Sequence, residues 1–227
     1  MRPSFAAIMV AGLLASALAY APALAATDCP QSLEQGGRIS MVDANGQTSI
    51  VEALDSGYVR RIEDLAQAAA PSKTHIEAYQ GLFAETITTI GAQPVFTQYY
   101  KLLPDAYARL RAALPLKSGT VLTLEYDVIY ATSATLAAGP VPPSRRWKVT
   151  FTVTGSETVT IGDCRYPVQL IQTTSSNADN SFTTETSYAY SPDLKAWLKL
   201  RGVFKPAGKP ETTIDRTVVF ITAAGKD

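Results

Sequence analysis

Beyond Gly119 the chain alternates, and that alternation is the strongest constraint on its fold. Leu122, Leu124, Tyr126, Val128 and Tyr130 share one side of a period-two pattern, while Thr123, Glu125 and Asp127 share the other. A segment of this kind can bury one face only, so it reads as a strand in a sheet with one dry and one wet side. Val149, Phe151 and Val153 resume the pattern against Thr150, Thr152 and Thr154, after a stretch rich in Pro and Gly at 139–144. Gly155-Ser156 reads as a turn. Strands then follow at 158–161, 166–173, 182–190, 196–204 and 212–222, separated by turn residues such as Asn177-Ala178-Asp179-Asn180 and Pro206-Ala207-Gly208-Lys209. Short links between successive strands imply antiparallel pairing.

The first half of the chain is less regular. Segments 38–42 and 48–54 flank Asn45-Gly46, a dipeptide suited to the positive φ angles of a tight hairpin. Asp55-Ser56-Gly57 turns the chain again into 58–65, with Val59, Arg61 and Glu63 on one face and Tyr58, Arg60 and Ile62 on the other. The alanines at 66–70 would suit a short helix as well. Within 71–94 only 82–90, rich in β-branched residues between two glycines, reads as a strand. Leu103, Tyr107, Leu110 and Leu114 recur at helical spacing behind Pro104, and Pro115 cannot continue the element, which predicts one helix over 103–114.

The N-terminus has the layout of an export signal: Met1-Arg2, an apolar run over 5–19, and small residues ending in Ala23-Leu24-Ala25. The run is shorter than the roughly 20 residues a retained anchor needs, so no stable membrane span is expected after processing. The expected product is periplasmic or secreted: a leader at 1–25 and a single mature domain at 26–227. That domain divides into a hairpin and helix part, 26–114, and an antiparallel sheet part, 115–227. Twenty basic residues face twenty acidic ones, and loss of the leader removes only Arg2, leaving a balance of −1. Neither charge nor clustering favours nucleic acid. Cys29 and Cys164 are the two cysteines, and in an oxidising compartment they are expected to pair, the alternative being two separate thiols.

Chemistry-bearing patterns are sparse. His75, the single histidine, reads as a loop residue and has no nucleophile elbow to serve. Glu125 and Asp127 lie two apart on one strand face, the arrangement a glycoside hydrolase would use, but on the wet side of the strand. Glu157, Asp163, Asp179 and Glu185 fall in or near turns with no metal-ligand spacing. No catalytic, cofactor or metal residues are therefore assigned, and no cofactor is expected. Tyr188 and Tyr190 share a face with Phe182 and read as core, ahead of a stacking platform.

From Leu114 to Leu200 the order of signals is Leu114-Pro115-Leu116-Lys117-Ser118-Gly119, a strand at 147–155, Glu157-Thr158-Val159, Cys164-Arg165-Tyr166, and Tyr190-Ser191-Pro192-Asp193-Leu194. It resembles a diffuse group of uncharacterised exported bacterial β-rich proteins. That resemblance implies an antiparallel sheet and carries no catalytic residues. The expected fold is thus mainly β, or α+β: a curved antiparallel sheet, half-barrel or barrel-like, with one helix near 103–114. Its concave interior is either filled by side chains or open to an apolar ligand. The expected function is a non-enzymatic binding or interaction domain, taking a lipid-like small molecule in that interior or an envelope protein at a free sheet edge. The alternative is a cell-envelope hydrolase using acidic residues.

Overall fold

The computed structural model describes residues 29–34, 36–64, 72–91, 95–132 and 144–224. The leader, the alanines at 66–70 and nearly all of the 139–144 stretch lie outside these residues. The chain is mainly β, and twelve antiparallel strands close into a barrel. In order they are β1 (Arg38–Asp43), β2 (Thr48–Ala53), β3 (Tyr58–Asp64), β4 (Lys73–Tyr79), β5 (Phe83–Ile90) and β6 (Phe96–Leu102). Helix α1 (Pro104–Ala113) follows. Then come β7 (Val121–Thr132), β8 (Arg145–Ile161), β9 (Cys164–Asn177), β10 (Phe182–Ser191), β11 (Ala196–Pro206) and β12 (Thr212–Ala223). Each strand pairs with its neighbour in sequence, and β1 pairs with β12 to shut the barrel, Met41 opposite Ile221. Closure of this kind removes edges altogether.

Local chemistry sets the connections. Gly46 takes a φ of 77° in the β1–β2 turn, where Asp43 Oδ1 accepts hydrogen bonds from the backbone N–H of Asn45 and Gln47, both at 3.0 Å. Pro104 opens α1 in the first helical turn, and Ala106 and Leu110 are its buried residues. They pack with Phe83, Leu122, Leu124 and Phe151, so the helix caps one end of the barrel. A second cluster joins Leu33, Ile39, Met41, Val51, Leu198 and Val218 to Val159, Ile161 and Tyr166 at the far end of the β8–β9 hairpin. Cys29 and Cys164 form a disulfide there, 135 residues apart in sequence, and the Leu33 N–H donates to Asp193 O at 2.8 Å. The segment ahead of β1 is thereby tied to the same end as α1.

Five expectations change. Gly155-Ser156 does not turn the chain: β8 runs through it with a register shift beside Val153, and the pairing with β9 continues to Ile161 and Cys164. The segment containing His75 is strand β4, where His75 sits opposite Ile62 and Thr88. A further strand, β6, precedes the helix. Glu157 and Glu185 lie within β8 and β10, each beside a lysine, Lys199 at 3.2 Å and Lys205 at 2.8 Å. The free sheet edge offered to a partner protein is also lost among these strands, because β1 and β12 pair with each other.

Candidate functional site

The two packed clusters do not fill the barrel. A cavity of about 610 Å³ remains inside it, walled by inward-facing residues of β3 through β12. That size falls within the roughly 300–1,000 Å³ of small-molecule sites. One wall is aromatic. Tyr126 of β7 stacks on Trp147 of β8 at 6.4 Å between centroids, Trp147 meets Phe182 of β10 edge-on at 5.6 Å, and Tyr100 of β6 adjoins Tyr126 at 6.0 Å. Val128, Leu200, Phe204 and Ile214 extend the apolar surface, with Gly202 keeping space beside Phe204. Uncharged polar side chains on the chamber wall, apart from tyrosine hydroxyls, are Ser175, Thr184, Thr186 and Gln98, whose Oε1 accepts from the Tyr100 hydroxyl. Burial pushes the Tyr126 hydroxyl up to about 12 against the lowering effect of its hydrogen bond with Ser175, and burial raises Tyr100 and Tyr188 in the same way.

The opposite wall is charged and buried. Arg61, Glu63 and Asp43 are buried at 6, 7 and 3 % exposure. Arg216 Nε donates to Asp43 Oδ2 at 2.8 Å and its Nη1 to Glu63 Oε1 at 2.9 Å, while Arg61 Nε lies 2.8 Å from the same Glu63 oxygen. Arg61 Nη2 donates to Ser49 Oγ at 3.1 Å. The Arg61 guanidinium also lies over the Trp197 ring at 3.5 Å, with that of Arg216 at 4.8 Å from the same ring. Burial draws Arg61 down to about 10 in spite of Glu63. Glu63, Trp197 and Arg216 line the cavity directly. Two positive and two negative groups balance, but Arg61 Nη1 and Arg216 Nη2 are buried without a hydrogen-bond partner among the described residues. Trp147 Nε1, across the cavity, is in the same position.

The floor of the chamber is a meeting of two turns. Gln80 and Gly81, between β4 and β5, abut the β10–β11 corner, and the Tyr190 hydroxyl donates to Gln80 O. Gly81 has a φ of 67°, and a Cβ placed there would run into the carbonyl of Lys195, so this contact admits glycine alone. In the corner itself, Leu194 is fully buried and its N–H donates to Ser191 Oγ at 3.4 Å. The Tyr190–Leu194 motif is therefore a structural joint.

The acids singled out from the sequence are elsewhere. Glu125 and Asp127 lie on the outer face of β7, where Arg146 is 2.7 Å from Asp127 and 3.7 Å from Glu125. They share one arginine and are not among the residues that line the chamber. Outside the barrel Arg60 likewise bridges Glu77 at 2.8 Å and Glu52 at 3.9 Å. A charged exterior around an apolar interior is the reverse of a lipid-facing barrel. Of the two tyrosines read as core, Tyr190 is packed there, while Tyr188 lines the chamber with Phe182, Trp147 and Trp197. No group of three metal-ligating side chains occurs among the described residues.

No protein-family model matches this chain, and no curated protein matches it. Among solved structures it is similar to the hypothetical lipoprotein YmcC from Escherichia coli (K12), at 13 % identity over 81 % of this chain and 83 % of that one, with a TM-score of 0.44. At that identity and overlap the likeness carries no argument about ligand or role.

Proposed function

We propose that this chain is an exported, non-enzymatic binding protein of the bacterial envelope, and that its barrel interior holds an apolar small molecule. The observation that carries this reading is the 610 Å³ chamber inside the barrel, walled largely by aromatic and aliphatic side chains. Protein interiors ordinarily close such space, because unfilled volume forfeits packing energy. The export layout at 1–25 and the Cys29–Cys164 disulfide support an oxidising, extracytoplasmic setting, in keeping with the resemblance to exported β-rich proteins.

Titration with the apolar dye N-phenyl-1-naphthylamine tests the reading. The mature protein should bind it saturably, one molecule per chain, with enhanced dye emission. Ala84, small and on the chamber wall, offers a way to fill the space: Ala84→Phe should weaken binding at least about tenfold, roughly 1.4 kcal/mol, while the protein stays folded by circular dichroism. Absence of saturable binding by the unaltered protein contradicts the reading. So does undiminished binding by the filled variant.

A further inference from the structure

A chamber inside a closed barrel is reached through one of the barrel's two ends, and strand order decides what lies at each. Every strand runs against its neighbours, so the connections alternate between the ends. Helix α1, the turns at 80–82 and 162–163 and the corner at 192–195 share one end. The turns at 44–47, 178–181 and 207–211 share the other. The α1 end is packed shut. Ala106, Leu110 and Leu194 there are at most 1 % exposed, Gly81 lies against the Lys195 carbonyl, and the Cys29–Cys164 disulfide fastens the segment before β1 to the same end.

The far end is different. Among the described residues, Tyr130 and Ile214 are the large apolar side chains that both line the chamber and reach solvent, at 39 and 42 % exposure. Tyr130 lies two residues before the end of β7, and Ile214 two residues after the start of β12. In the ring of strands β7 and β12 are five steps apart one way round and seven the other, which sets these residues on opposite sides of the mouth. Each continues an apolar surface that runs inward. Tyr130 stacks on Phe96 at 5.9 Å, and Val128 and Tyr126 follow it down β7 to the aromatic wall. Ile214 pairs with Gly202, beside Phe204. An apolar molecule that follows either surface stays in apolar contact from solvent to interior. We infer that the ligand enters and leaves the chamber at the end away from α1, between Tyr130 and Ile214, and that these two side chains set how fast it exchanges.

This inference rests on the chamber being a ligand site, and the experiment separates the two. Ile214→Cys and, separately, Tyr130→Cys put a thiol at the mouth. Ala108→Cys, at an exposed position of α1, puts one at the closed end. The two native cysteines are paired, so the introduced thiol is the one that reacts. Mature protein already loaded with N-phenyl-1-naphthylamine is coupled to a polyethylene glycol maleimide, and release of the dye on rapid dilution is followed by its loss of emission. Blocking the route slows release, whereas weakening the site speeds it, because lost affinity appears mainly as faster dissociation. Each mouth conjugate should release the dye at least about tenfold more slowly than the same variant before coupling, and the α1 conjugate at the rate of its uncoupled form. If the dye does not bind the unaltered protein, the chamber reading and this inference fail together. If it binds, a mouth conjugate that releases it no more slowly, or an α1 conjugate slowed as much as the mouth conjugates, overturns this inference alone.

Discussion

Glu63 shows how closely the charged wall is balanced, since a single oxygen of its carboxylate meets both Arg61 and Arg216, at 2.8 and 2.9 Å. Replacing it by glutamine would leave two buried guanidinium groups facing one carboxylate. Glu63→Gln should therefore destabilise the fold by about 3–5 kcal/mol in urea unfolding. Pairing it with Arg61→Met restores the balance through Asp43 and Arg216, and the double variant should be less damaged than the single one. A double variant that loses the sum of the two single effects would show that the groups are not coupled. Part of this wall was visible in the sequence. Val59, Arg61 and Glu63 alternate with Tyr58, Arg60 and Ile62, but nothing in that pattern shows that the charged face is the buried one. Its partners Asp43, Trp197 and Arg216 come from β1, β11 and β12, and only closure of the barrel brings them together.

Among the elements, legibility followed what each strand faces. β7 and β8 put large apolar residues inward, Leu122 to Tyr130 and Val149 to Val153, against polar ones outward, and their period of two was plain in the sequence. β4 and β6 were missed for a physical reason: their inward and outward faces differ little in character. The inward residues of β4 include Ile76 and the small Ala78, and those of β6 are Gln98 and Tyr100, so neither strand shows the contrast that a packed wall produces. The helix was legible because Pro104 and the Leu110 stripe act locally. The turn assigned to Gly155-Ser156 failed because a glycine within a strand can mark a register shift instead. At this scale the disulfide is the strongest single link, tying the segment before β1 to the β8–β9 hairpin across 135 residues. Cys29→Ser with Cys164→Ser should lower stability by about 4–5 kcal/mol through the freed unfolded chain, seen as a lower urea midpoint. A midpoint that does not move would mean that the N-terminal segment is held by its other contacts, such as Leu33 to Asp193.

For the whole molecule, burial of tyrosines sets the response to alkali. Tyr126 is shifted from 10.0 up to about 12, and burial also raises Tyr100, Tyr188 and Tyr190. Above pH 10 the unfolded chain gives up these protons while the folded chain keeps them. The folded state then binds more protons, and stability falls as pH rises, by at most about 1.4 kcal/mol per pH unit for each such tyrosine. Arg61 acts in the opposite sense, being lowered from 12.5 to about 10, but it is one group against several. The melting temperature should therefore drop between pH 10 and pH 12, with the share of tyrosinate absorbance that belongs to these rings appearing only on unfolding. Complete tyrosinate absorbance, equal to that of the unfolded chain, in a still-folded protein near pH 10 would contradict the buried positions of these rings.

Both tryptophans of the chain, Trp147 and Trp197, line the chamber, which gives the central claim a direct optical test. Titration of the mature protein with 1-bromododecane, a hydrocarbon whose bromine quenches indole on contact, reads occupancy of the barrel interior without any label. The chamber predicts saturable quenching of the intrinsic emission at one equivalent, abolished or greatly weakened by Ala84→Phe. Emission that stays unchanged, or falls only in proportion to added bromide with no saturation, would show that the interior admits no apolar ligand.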